Sequence, residues 1–383
     1  MMRPHVIIGF LCLCMTLCWS CKELKIVATD YSGNETSGDG DSDSDGNEYS
    51  DADSDSDTDT DTDSDTGRDS NSEIDSVTGT ATDTASDTHT ATETDTDADT
   101  GSITDTESET EDVVTCDTEG KIVFVDGSWH TLAVNGVDRR FILHVPDTYT
   151  GIHPVPLVIE FHMIGMDANS LWNYSIYRSV TDIDNAIMAY PNGAETAVGK
   201  SWNVGNCCSN GDDVAFSLQL VDYISSKACI DRSRVYAVGN SMGGGMANRL
   251  ACDAADVFAG IISSSFDLDK DMATACTPSH PITTIAFRGS ADTFIPFDGG
   301  PGEVTIPGYK QLDFLGAYKS LAKWADINNC SGEPTKDKNG CLVYGPSQCD
   351  GGVEEVLCVD EGATNHVGSP SIAWPILKMH KRQ

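Results

Sequence analysis

Val235-Tyr-Ala-Val-Gly-Asn-Ser241-Met-Gly-Gly-Gly-Met246 reads as an apolar, β-branched strand, a Gly-x-Ser-x-Gly turn and the start of a helix. A serine hydroxyl is a poor nucleophile at neutral pH. A sharp strand-to-helix turn helps by presenting its Oγ to a base and to a carbonyl carbon. Glycine suits positions 239 and 243, because side chains there would collide across the turn. The Met242 N–H, at the helix N-terminus, would face an oxygen on which negative charge develops. In a chain with 35 glycines the bare motif says little. The strand before it and the helix after it make it specific.

Strand and helix patterns alternate outward from this turn. Phe141–Pro146, Pro156–His162 and Ala186–Pro191 read as strands, the second nearly continuous in apolar residues and so buried. Asp212–Lys227 carries Val214, Leu218, Val221 and Ile224 at helical spacing, with two acids at its start. Strand 235–240, helix 242–252, strand 260–264, strand 283–288, helix 309–327 and strand 354–359 follow. Such alternation predicts an α/β domain: a mostly parallel sheet with helices on both faces, spanning 116–383. Sites in such sheets gather at the carboxyl ends of strands.

Ser241 needs an imidazole to take its proton and a carboxylate to orient that imidazole. On sheets carrying this turn the acid follows the serine in the chain and the histidine comes last. Only His280, His366 and His380 follow Ser241. His280 precedes a strand, at the wrong end of the sheet, and His380 lies in the basic tail. His366, in the loop after strand 354–359, is the expected base. Asp292, just past strand 283–288, is the expected acid; Asp267, Asp269 and Asp298 are its competitors. A second oxyanion donor should come from the loop after an early strand, where Phe161-His-Met-Ile-Gly165 places the Met163 N–H. His162 precedes Ser241, so it reads as a packed histidine shaping that loop. Trp202, one of six tryptophans, is a candidate wall of the acyl pocket or, equally, a core residue.

The formal net charge is −38, but it is concentrated. Residues 31–113 hold 28 acidic residues and one basic one, Arg68. This Asp/Ser/Thr-rich stretch has too few apolar residues to offset its ordering entropy, so 22–115 reads as a disordered, self-repelling linker. Asp41-Ser-Asp-Ser-Asp-Gly46 resembles the start of a calcium loop, but Ala52 stands where a twelfth-position Glu belongs. The sign of the charge disfavours nucleic acid, and no metal or other cofactor is implied.

A basic start and a 12-residue apolar run, Val6 to Leu17, fit a signal peptide over 1–21 and are too short to span a bilayer. Ser20-Cys21 resembles a bacterial lipoprotein cleavage site, making Cys21 a candidate lipid anchor and the only expected membrane tie. Beyond Cys21 ten cysteines remain, an even number that reads as up to five disulfides in an exported, extracellular or outer-surface protein.

Ser241-Met-Gly-Gly-Gly-Met-Ala-Asn-Arg-Leu-Ala-Cys252, Ser201-Trp-Asn-Val-Gly-Asn-Cys-Cys208 and Asp212-Asp-Val-Ala-Phe216 together resemble the secreted polyhydroxybutyrate depolymerase and feruloyl esterase family of serine esterases. The resemblance covers nearly all of 120–383. It implies the α/β-hydrolase fold, with the triad acid in Gly289-Ser-Ala-Asp292 and the triad histidine in Gly362-Ala-Thr-Asn-His366. It also implies disulfides among Cys207, Cys208 and Cys252, and between Cys330 and Cys349. The chain departs from the family at His162-Met163, where His-Gly is usual. It departs again at Val367-Gly-Ser-Pro370, where Trp-Pro is common; here Trp374-Pro375 comes later.

The resemblance implies a monomeric ester hydrolase. Its substrate would be feruloyl or acetyl esters on xylan, with an aliphatic polyester as the alternative. A catalytically silent surface binding module and a peptidase on the same fold are the other classes; the intact Ser, Asp and His argue against the first.

Overall fold

The computed structural model describes Cys116, residues 124–365 and residues 367–382. The signal, Cys21, the acidic linker and the boundaries expected at 21 and 115 lie outside the described residues, and so does His366.

A ten-stranded sheet forms the body. Its strands are β1 (Trp129–Val134), β2 (Val137–His144), β3 (Val155–Phe161), β4 (Ile187–Pro191), β7 (Ile230–Asn240), β8 (Gly260–Ser264), β9 (Thr283–Gly289), β12 (Thr335–Lys336), β13 (Leu342–Tyr344) and β14 (Glu355–Asp360). Two short ribbons lie outside it: β5 (Ala194–Thr196) with β6 (Gly199–Ser201), and β10 (Gly300–Pro301) with β11 (Asp313–Phe314). The sheet runs β1-β2-β4-β3-β7-β8-β9-β14-β13-β12. Its six central strands, β4 to β14, are parallel, and the edges are antiparallel. Every residue of β3, β4 and β8 is buried, as continuous apolar strands covered on both faces must be.

The helices are α1 (Ala168–Tyr174), α2 (Arg178–Thr181), α3 (Asp213–Ser225), α4 (Met242–Asp253), α5 (Lys270–Ala275), α6 (Ala317–Ile327) and α7 (Pro370–Leu377). Phe216, Leu220 and Ile224 of α3 join Met246 and Leu250 of α4 in one core. Ala168 of α1 and Trp374 and Leu377 of α7 help fill the core on the opposite face. Asp212 caps α3 by accepting from the Ala215 N–H, while buried Asp213 pairs with Arg139 at 2.6 Å.

The helix expected over 309–327 begins only at Ala317. Gly316, at φ 92°, blocks an earlier start, and Asp313 donates its N–H to the Asp269 carboxylate instead. Trp374 packs edge-on against Tyr236 and donates to Asp184, so it belongs to the core.

All ten described cysteines pair: Cys116–Cys229, Cys207–Cys208, Cys252–Cys276, Cys330–Cys349 and Cys341–Cys358. The Cys330–Cys349 pair is as expected. The pairing of Cys252 with Cys207 or Cys208 is corrected. Cys252 closes the last turn of α4 and Cys276 caps α5, with their Cα atoms 4.9 Å apart. Cys207 and Cys208 satisfy each other.

Candidate active site

Ser241 stands between β7 and α4 with φ 52°, a left-handed conformation that costs a non-glycine residue about 1–3 kcal/mol. Neighbours enforce it. The Ser241 N–H donates to the Ser264 carbonyl of β8 at 2.8 Å, and Gly245 donates back to the Ser241 carbonyl at 3.0 Å. A Cβ added at Gly239 would lie 2.3 Å from the Gly243 backbone, and one at Gly243 would lie 1.9 Å from the Phe161 carbonyl oxygen. These glycines therefore let α4 start directly against β7 and β3. Met242 is the first residue of α4, whose leading N–H groups have no partner within the helix.

Two buried rings hold the peptide between His162 and Met163, where a second donor is expected. Trp202 donates its indole N–H to the His162 carbonyl at 2.8 Å. In a trans peptide the next N–H points the opposite way, so the Met163 N–H is turned away from Trp202. His162 is fully buried; its Nδ1 donates to the Met163 carbonyl at 2.7 Å and its Nε2 accepts from the Gly193 N–H at 2.9 Å. Those two bonds define a neutral ring. Burial also drives its pKa down, to about 4. His162 is thus the packed, loop-shaping histidine that chain order implies. Trp202, with no exposed surface, lines no open pocket, and the expectation of a substrate contact is corrected. It lies edge-on to Phe161 and behind His162, as a support for the Met163 peptide.

Asp292 is 6 % exposed, in the turn after β9. Its Oδ1 accepts from the Ile295 N–H at 3.1 Å. Burial raises its pKa, while the Ile295 bond and the Arg288 charge pull it back. Of the competitors, Asp269 is committed to capping α5 and to the Asp313 N–H, and Asp298 is exposed. Asp267 forms an ion pair with buried Arg288. Sequence reasoning passed over Arg288; its one signal was a basic residue inside a buried apolar strand.

The chain on either side of position 366 packs against the turn after β9 and against the residue that holds the elbow. Ser290 donates its N–H to Asp360 and Ala291 donates its N–H to Ala363, at 3.0 and 2.9 Å. The Gly362 N–H donates to Ser290 Oγ at 2.8 Å. A Cβ on Gly289 would lie 3.0 Å from the Asn365 nitrogen. On the other side, a Cβ on Gly368 would lie 2.8 Å from Ser264 Oγ, in the residue whose carbonyl holds Ser241. The other histidines stand elsewhere. His280 is exposed ahead of β9, and His380 bonds Glu354. No group of three or more His, Cys, Asp or Glu among the described residues is arranged for a metal ion.

A parallel sheet covered on both faces, with a strained serine at a strand-to-helix elbow, defines an α/β-hydrolase. By sequence the chain is similar to proteins named as feruloyl esterases. It is 38% identical over 245 residues to "Feruloyl esterase B" of Piromyces equi, covering 63% of this chain and 45% of that protein. It is 33% identical over 177 residues to "Probable feruloyl esterase C" of Aspergillus flavus, covering 44% of this chain and 61% of that one. The chain therefore spans about half the length of these relatives. Residues 174–292 match the prolyl oligopeptidase family. The fold is that of a solved acetyl xylan esterase from Aspergillus awamori, at TM-score 0.50 and 14% identity, covering 66% of this chain and 99% of that structure.

Proposed function

We propose that the chain is a serine carboxylic ester hydrolase that removes feruloyl or acetyl groups from xylan through an acyl-enzyme. The observation that carries this is the elbow: Ser241 held at φ 52° beside a loop whose Met163 N–H is aimed by Trp202. Ser241 attacks the ester carbonyl. The oxyanion rests on the N–H groups of Met242 and Met163. His366 takes the serine proton and passes it to the leaving alcohol, and Asp292 orients the imidazole. Water then repeats the sequence on the acyl-enzyme. Likeness to feruloyl esterases supports the choice of ester over polyester. Five disulfides support an exported protein.

The decisive measurement is turnover of methyl ferulate, acetylated xylan and a hydroxybutyrate oligomer, with a matched anilide as the amide control. Ferulate or xylan ester should be the best substrate. Preference for the anilide would favour the peptidase reading that the family match at 174–292 leaves open. Ser241→Ala should lower kcat at least a thousandfold and abolish labelling by a fluorophosphonate.

A further inference from the structure

Arg288 has no exposed surface, yet a guanidinium stays charged at every pH the protein meets. A buried cation needs counter-charge and hydrogen-bond partners. Two carboxylates, from the loops after neighbouring strands, supply the charge. Asp267, past β8, pairs with Nη1, and Asp292 Oδ2, past β9, stands 3.6 Å from Nη2. The same Nη2 donates to the Ile295 carbonyl at 2.6 Å, and the Ile295 N–H donates to Asp292 Oδ1. The arginine thus grips both the carboxylate and the turn that carries it.

We infer that Arg288, anchored by Asp267, is a positioning residue for Asp292, supplying its counter-charge and clamping its turn toward the histidine loop. The inference rests on the esterase reading, with Asp292 as the triad acid.

The electrostatics follow from the geometry. Asp292 works only as a carboxylate, and burial opposes that. Arg288 offsets the burial, but Asp267 competes for the same charge. Asp267 stands raised at about 6, the net of burial and Asp292 pushing it up and Arg288 drawing it down. Asp267 and Asp292 therefore form a coupled pair of carboxylates on either side of one fixed positive charge. Glu303 adds a weaker negative field at Asp292. From α4 and α6 the groups around Asp267 are neutral: Asn248, Ser320 and Trp324.

The test uses the full chain with three variants: Asp267→Asn, Arg288→Gln and the double variant, which removes both members of the buried Asp267–Arg288 pair together. Labelling of wild type by a fluorophosphonate comes first; an unlabelled wild type overturns the esterase reading itself. The readout is the pH profile of kcat and KM on p-nitrophenyl acetate, beside the thermal midpoint. Asp267→Asn frees the guanidinium for Asp292, so the acid limb should move down by about half a pH unit or more. Arg288→Gln should cut kcat at least tenfold with KM within twofold, and move the limb up. If that variant does not fold, the double variant decides: it should fold with kcat still tenfold down. A folded, labelled double variant with wild-type kcat and an unmoved limb overturns the inference, because a purely structural trio would shift only the midpoint.

Discussion

At the residue scale, the site is built from groups denied their relaxed state. Ser241 keeps a left-handed backbone because β3, β8 and α4 close around it. His162 keeps a neutral ring because its only polar partners are one carbonyl and one N–H. This has a consequence for stability. The folded pKa, about 4, lies below the ordinary 6.5. As pH falls through 6.5 the unfolded chain takes a proton that the folded chain refuses, so stability drops between about 6.5 and 4. The full loss is about 3 kcal/mol for the 2.5-unit difference. Urea unfolding at pH 7.5, 5.5 and 4.5 should show it, and His162→Gln should flatten the slope whatever it does to the intercept. An equal slope in both proteins would refute the assignment. The elbow at Ser241, the place of Asp292 just past β9 and the packed His162 were legible in the chain because turn chemistry and strand ends are local signals. Arg288 was not, because its partner Asp267 comes from the loop after the neighbouring strand, 21 positions earlier in the chain.

At the element scale, α4 carries the strained Ser241 at one end and a disulfide at the other. Cys252 ties its last turn to the cap of α5, closing a loop with a sequence separation of 24. A link of that length stabilises by about 3 kcal/mol, chiefly by constraining the unfolded chain. The double variant Cys252→Ser, Cys276→Ser should lower the thermal midpoint by several degrees in differential scanning calorimetry, while the folded protein keeps its kcat within about threefold. A larger loss of kcat would mean that the bridge also sets the angle of α4. Periodicity predicted α3 and α4 to within two residues. It overran α6 because 309–316 has apolar residues at helical spacing but closes against α5 as an extended arm.

At the scale of the whole molecule, charge is spread unevenly along the chain. Residues 31–113 hold 28 of the 61 acidic residues, and the remaining 300 residues are far closer to neutral. Its composition, so poor in apolar residues, is the one expected of a spacer. Deleting 31–113 should leave kcat/KM on soluble methyl ferulate within twofold, and a tenfold loss would show that the segment does more than space.

The amino-acid sequence by itself determined the alternation of strand and helix, the elbow at Ser241 and the acidity of the first third, because periodicity, turn stereochemistry and composition act over a few residues. Tertiary structure decided what depends on distant partners. Cys252 meets Cys276, Asp269 is spent on capping α5, and Trp202 turns from pocket wall into the prop behind His162, 40 residues away. It also set Arg288 between two acids. Such contacts are chosen by packing on both faces of one sheet, where a buried polar group takes whichever partner the fold brings within reach.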